Sequence, residues 1–298
     1  MARSLYFALV LLSLIWGGSF LFIKLLLHDF GPWTIAFLRS TFGLITIVVI
    51  MLIKREPFGW KSIPWIPMII VALVNTAIPW GLIPFSETRL SSGMASVLNA
   101  TTPLWTIIVG VLFFRMATNR LQWLGMGLAF IGLLILLGVN TDSIISIDVL
   151  GFVCMIGATW CYAVGAQLSK HLLSGLSLYQ ITFGTLFCTT IASGGAAFSL
   201  EDISFMPLAS LTNLVSLIGL GVFGSGIAYI LFYFMVQKGS AEFATTVTYL
   251  VPASAIIWGF TLLDEPLHWN LLIGLVIILS GVFLTSRRMV GSKRAAVK

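Results

Sequence analysis

The chain has 298 residues, 59% of them hydrophobic and 9% charged, with a mean hydropathy of +1.07. Soluble globular chains carry about 25% charged residues, so both an ordinary water-soluble domain and a disordered chain are excluded. The net charge of +6 comes from 16 Lys and Arg scattered singly between apolar runs, which points to membrane orientation and away from a nucleic-acid footprint.

Apolar runs bounded by charge, Pro or Gly predict ten spans, at 5–27, 33–53, 64–87, 91–114, 120–139, 149–170, 177–199, 209–237, 241–263 and 268–286. This is about what ~20 apolar residues per crossing allows, with no room for a sizeable extramembrane domain. The first span continues past Trp16-Gly17-Gly18 to Lys24 without an A-x-A site, longer than a signal-peptide core, and reads as a retained helix. The second contains Arg39, about two turns from its outer end. A charge in hydrocarbon is costly, and an outer ion pair with Glu87 is the expected solution, with Asp29 and neighbouring helix carbonyls as other partners and contact with a substrate carboxylate as the alternative use of the charge. Lys24 is expected to snorkel. The third span carries Asn75 and Trp80.

In the fourth span Ser92, Ser96, Asn99, Pro103 and Thr106 recur at steps of four and three, which places them on one helical face. Thr245, Thr248 and Pro252 make the matching face of the ninth. Pro103 and Pro252 each remove a backbone hydrogen bond and are candidate hinges, because a freed carbonyl is tolerated only beside protein or water. These stripes are expected to face a central pathway, although Ser and Thr also serve merely to pack helices closely. Tyr162 on the sixth span, and Tyr229 and Tyr233 one turn apart on the eighth, join Trp16, Trp160, Asn75 and Trp80 as candidate walls of an aromatic cavity. Such a cavity suits an apolar or zwitterionic metabolite better than a sugar phosphate. Interfacial belts and core packing are the alternative uses of the same aromatic residues.

Ten spans place both termini on one side. That side receives thirteen of the 16 Lys and Arg, leaving Lys24, Arg39 and Arg89, while eight of the ten acidic residues fall opposite. The basic bias predicts cytoplasmic termini, with the tail from Arg287 to Lys298 lying near anionic lipid.

The chain also matches itself. A shift of 149 residues lays 88–136 on 237–285 without a gap, bringing Ser91 onto Ser240, Ala95 onto Ala244 and Pro103 onto Pro252. The same shift brings Gly110 onto Gly259, Gly125 onto Gly274 and Gly132 onto Gly281. Five spans per half would make the halves, 1–140 and 141–298, enter the membrane in opposite senses. The loop at Phe114-Arg115-Met116 is basic where its counterpart Leu263-Asp264-Glu265 is acidic, in keeping with that inversion, whereas Arg89 over Lys238 breaks the pattern. The predicted fold is therefore an all-α polytopic membrane protein of ten helices in two inverted five-helix repeats, an arrangement suited to alternating access.

Several stretches carry a family resemblance. They are Leu14-Ile15-Trp16-Gly17-Gly18-Ser19-Phe20, Leu38-Arg39, Gly221 through Tyr229, Ala244 through Pro252 to Gly259, Asp264-Glu265-Pro266-Leu267, Gly274 and Ser280-Gly281. In this order the chain resembles the EamA family of the drug/metabolite transporter superfamily over nearly its whole length. The resemblance extends toward the aromatic amino-acid exporters of YddG type. It implies ten helices and export of amino acids or similar metabolites. The chain departs from the small multidrug members, having no acidic residue between Arg3 and Asp29.

The expected partners are thus a small-molecule substrate and membrane lipids, with no nucleic acid and no required oligomer. No cofactor is expected, and the absence of H-E-x-x-H, paired intramembrane Asp or a Ser–His arrangement speaks against an enzyme. Neither charge rings nor a filter motif suggests a channel. His28, His171 and His268 lie apart at span ends and suggest no metal site. Cys154, Cys161 and Cys188 read as small buried residues. Export of hydrophobic drugs or organic cations, or carriage of a sugar or nucleoside, are the alternative functions. With no acid near the predicted midplane, facilitated efflux is expected.

Overall fold

The computed structural model describes residues 2–114, 120–136, 148–238 and 247–286. Among these there is no strand, and ten helical rods follow in chain order. Helix α1 is Ala2–Leu26, α2 Pro32–Lys54, α3 Trp65–Glu87, α4 Ser92–Phe114, α5 Arg120–Leu136, α6 Val149–Leu172 and α7 Leu178–Leu200. Helix α8 runs from Leu211 to Lys238, α9 is Val247–Leu262 and α10 Trp269–Ser286. Seven rods are long and apolar enough to cross a membrane, and three shorter apolar helices correspond to α5, α9 and α10. Their outer faces are apolar: Ile53 and Ile66 are 76% and 77% exposed. A surface of this kind is stable in lipid and not in water.

Local sequence accounts for the helix ends. Pro32 opens α2, where its missing N–H is harmless, and Arg55 at φ 55° closes it in the left-handed region. Ser177 and Gln180 form a reciprocal capping box at the start of α7. Asp148 Oδ1 accepts from the Gly151 N–H at 2.8 Å to start α6.

Three rods are interrupted where plain spans were expected. Helix α3 widens into a π turn at Leu73–Ala77, which carries Asn75. Helix α8 does the same over Ile218–Ile227, a stretch holding four glycines. Helix α4 breaks after Asn99 and resumes at Thr102, just ahead of Pro103. Thr101 and Thr102 hydroxyls donate back to the Leu98 and Asn99 carbonyls and satisfy the break.

Helices α5 and α10 pack along each other at one end of the bundle, and α2 packs on α7 at the other. At the first end the glycines matched by the internal repeat meet. A methyl on Gly132 would lie 3.0 Å from the Gly274 carbonyl oxygen, and one on Gly281 would lie 2.5 Å from that of Gly125. Between these pairs, α1 packs on α9, α4 on α6, α3 on α6 and α1 on α8. Helix α2 also packs against the wide part of α8, and α7 against α3. The side chains of Gly221 and Gly226 are absent where α2 comes closest, since a methyl at Gly221 would meet Phe42 Cβ at 2.5 Å.

Candidate functional site

The inner rods leave a central cavity of about 530 Å³. Helix α1 contributes Trp16, Ser19, Phe20 and Ile23, α2 contributes Arg39, and α3 contributes Asn75, Trp80 and Ile83. Around its break, α4 presents Ser96, Asn99, Pro103 and Thr106. The opposite wall comes from Tyr162 of α6, Gly224 and Tyr229 of α8, and Val251 and Pro252 of α9.

The irregular backbone shapes this wall. The π stretch of α8 leaves the Gly224 carbonyl available, and Trp16 Nε1 donates to it at 3.2 Å. The Trp16 indole meets Tyr229 edge-on at 6.4 Å and Phe232 at 6.0 Å. On α3, the π turn projects Asn75 toward α6, where a methyl on Gly165 would approach Asn75 Cβ to 2.5 Å. Arg39 Nε donates to Ser225 Oγ at 2.9 Å, and the guanidinium carbon lies 4.0 Å above the Trp80 ring. Cation–π contacts of this kind contribute about 0.5–2 kcal/mol, toward the upper end where water is excluded.

Ten of the sequence candidates therefore share the cavity: Trp16, Asn75, Trp80, Ser96, Asn99, Pro103, Thr106, Tyr162, Tyr229 and Pro252. Thr245 lies outside the described residues, and so do the side chains of Tyr233 and Thr248. Ser92, placed by spacing on the same stripe, instead binds Glu265. Trp160 is not in the cavity either: it is 41% exposed on the outer surface and touches Phe113.

The expected outer ion pair between Arg39 and Glu87 does not form. Among the described residues no ion pair joins them; Arg39 faces the cavity, and Glu87 is fully buried with neither carboxyl oxygen hydrogen-bonded. The physical reason lies in the neighbours. Ser225 and Trp80 hold the guanidinium toward the cavity, whereas Lys24 Nζ takes the backbone carbonyls of Glu87 and Leu90 at 2.5 and 2.9 Å.

Sequence reasoning missed Gly224 in the wall and the buried Ser225 that holds Arg39. Their signal was the Gly221–Tyr229 stretch, whose glycines permit the wide turn that frees a carbonyl for Trp16 and brings a hydroxyl to Arg39. A second hollow of about 480 Å³ lies between Gly18 and Phe22 of α1, Val215 through Phe223 of α8, and Trp258 and Leu262 of α9. Among the described residues no charged side chain lines it.

With this geometry the known families are informative. The model of the EamA-like transporter family matches residues 3–138 and again residues 149–287. The chain belongs to the EamA-like transporter family. A relative from Archaeoglobus fulgidus, described as an uncharacterized transporter, is 24% identical over 284 residues, 95% of this chain and 99% of that protein. The uncharacterized transporter YoaV of Bacillus subtilis is 22% identical, covering 93% of this chain and 95% of its own. The uncharacterized inner membrane transporter YedA of Escherichia coli K12 is 24% identical, covering 95% and 90%. A crystal structure of another protein matches this EamA-like chain with a TM-score of 0.66 at 14% identity, over 98% of this chain and 99% of that one. At that identity it establishes a shared fold alone.

Proposed function

We propose that the chain is a secondary transporter that exports amino acids or related small metabolites by alternating access around the central cavity. In this reading residues 1–140 and 141–298 are inverted five-helix repeats, the protein lies in the inner (plasma) membrane, and both termini are cytoplasmic. The cavity carries the proposal. It is about 530 Å³, within the usual range for a small-molecule site, and draws walls from both halves of the chain. Its aromatic rings offer apolar surface, while Asn75, Asn99 and Ser96 offer a few hydrogen-bonding groups.

Four observations support the repeat. The family model matches twice. The π turns fall on the third rod of each half, and the packing of α1 on α9 is mirrored by that of α4 on α6. The glycines of α5 and α10 also meet reciprocally. Such a pair of halves can rock about a site held between them.

The test is counterflow in proteoliposomes with a panel of amino acids, nucleosides, sugars and organic cations, run with and without a pH gradient. Saturable exchange of at least one amino acid is expected, independent of the gradient. Exchange confined to another class would overturn the substrate assignment. Dependence on the gradient that disappears in Glu87→Gln would overturn facilitated efflux in favour of proton coupling. Orientation is read separately, by labelling single cysteines placed at residues 57 and 203 with a membrane-impermeant reagent.

A further inference from the structure

The cavity described above has one formal charge among its described lining residues, that of Arg39. Arginine keeps its proton in proteins, so this cation must be stabilised by partners and cannot be neutralised. Ser225 and Trp80 occupy its Nε and one face. Among the described residues no hydrogen bond or ion pair engages its two Nη groups. Among the described residues no carboxylate makes an ion pair with it. Lys24 adds a second cation, Glu87 forms no ion pair with either, and the Glu265 carboxylate is taken up by the start of α4. In a low-dielectric cavity this arrangement attracts an anionic group and repels a cationic solute. The planar fork of the guanidinium matches both oxygens of a carboxylate.

A second polar atom is unsatisfied in the same cavity. Asn99 Oδ1 is buried without a hydrogen-bond partner, at the break of α4. A buried carbonyl left unpaired is destabilising, and a ligand N–H donor restores the lost bond.

Resting on the transporter reading above, we infer that Arg39 anchors a substrate carboxylate and that Asn99 accepts from the substrate's ammonium group. The cavity is thereby specific for zwitterionic amino acids and closed to organic cations. Trp16 and Tyr229 then provide the surface for an apolar side chain.

Three ligands that differ by one group each provide the test: L-phenylalanine, 3-phenylpropionate, which lacks the ammonium, and phenethylamine, which lacks the carboxylate. Binding to the purified full-length protein in detergent is measured by intrinsic tryptophan fluorescence and calorimetry, and counterflow is measured in proteoliposomes. Phenylalanine should bind most tightly, phenylpropionate about tenfold more weakly and phenethylamine not measurably. One lost charge-assisted hydrogen bond corresponds to roughly a factor of ten. Arg39→Gln should lose phenylalanine and phenylpropionate together, and Arg39→Lys should restore part of both. Asn99→Ala should weaken phenylalanine while leaving phenylpropionate unchanged, which removes the difference between them.

Each variant is compared after size-exclusion chromatography and a thermal melt, so that loss of assembly is separated from loss of binding. Should Arg39→Gln fail to assemble, the wild-type ligand series and Asn99→Ala still decide. Phenethylamine binding as well as phenylalanine overturns the inference, as does an assembled Arg39→Gln that binds normally or a wild type that binds no carboxylate. Arg39-dependent binding without counterflow leaves the anchor standing and removes the transporter reading. Counterflow indifferent to Arg39 and to the carboxylate does the reverse.

Discussion

The carboxylates of Glu201, Glu265, Asp148 and Asp29 and the carboxylate of Glu87 have the same chemistry and different surroundings. Glu201 reaches from the end of α7 to the start of α2, accepting from the Trp33 and Thr34 N–H groups at 2.8 Å each and from Thr34 Oγ1 at 2.7 Å. Glu265 does the same at α4, accepting from Ser92 N–H, Ser92 Oγ and Gly93 N–H at 2.7, 2.9 and 3.1 Å. Asp148 starts its own helix and meets Arg89 at 2.8 Å, and Asp29 accepts from Asn213 Nδ2 at 2.7 Å. Glu87, at the end of α3, reaches no helix N-terminus, and its buried carboxyl is unbonded. A helix N-terminus supplies free N–H groups and a positive dipole end; a helix C-terminus supplies carbonyls, which repel a carboxylate and attract Lys24 instead.

The sharpest way to break this contrast is at the two long-range caps. Glu201→Ala and Glu265→Ala should each lower stability by about 2 kcal/mol, the upper end for a helix cap. Thermal melts in detergent measure this, and an unchanged midpoint would show the caps to be incidental. Next comes Glu87→Gln. Because the carboxyl has no partner to lose, the variant should be as stable as the parent or up to about 1 kcal/mol more stable. A marked loss would mean that Glu87 has a partner in the membrane.

The smallest effect belongs to Asp148. The Gly151 N–H, and then Arg89, hold its carboxyl below the ordinary carboxylate range. A group lowered on folding contributes stability that is present above its unfolded value, about 3.9, and is lost as the pH falls through the lower folded value. The melting midpoint of the parent and of Asp148→Asn should therefore converge only below about pH 4, with their small difference constant from pH 5 to 8. A difference that changes near neutrality would contradict this assignment.

These contacts show why part of the site was legible and part was not. The stripe Ser96, Asn99, Pro103 and Thr106 was readable because helical period alone puts i, i+3 and i+4 on one face. Tyr162, Tyr229 and Trp16 were readable as polar-tipped aromatics in apolar runs. Ser92 fits the same period and was misassigned, because only tertiary structure brings Glu265 to it from 173 residues away. Arg39 was misassigned for a related reason. Sequence offers it Glu87 as the nearest acid in a neighbouring span, whereas Ser225, which holds it, is 186 residues distant and chemically unremarkable. Trp160 was grouped with the cavity aromatics, yet one helix face decides whether an indole meets lipid or cavity.

What the sequence alone determined is a membrane chain of ten helices with a twofold internal match. Hydrophobic length sets the number of spans, and landmarks such as Pro103 over Pro252 survive at a fixed shift. What only the tertiary structure decided is where each charge goes. Glu201, Glu265 and Asp148 cap helix starts, and the arginine expected at the rim faces the cavity. Periodicity is a local property of one helix and can be read along the chain. The partner of a buried charge belongs to two or three helices at once, and appears only when they pack.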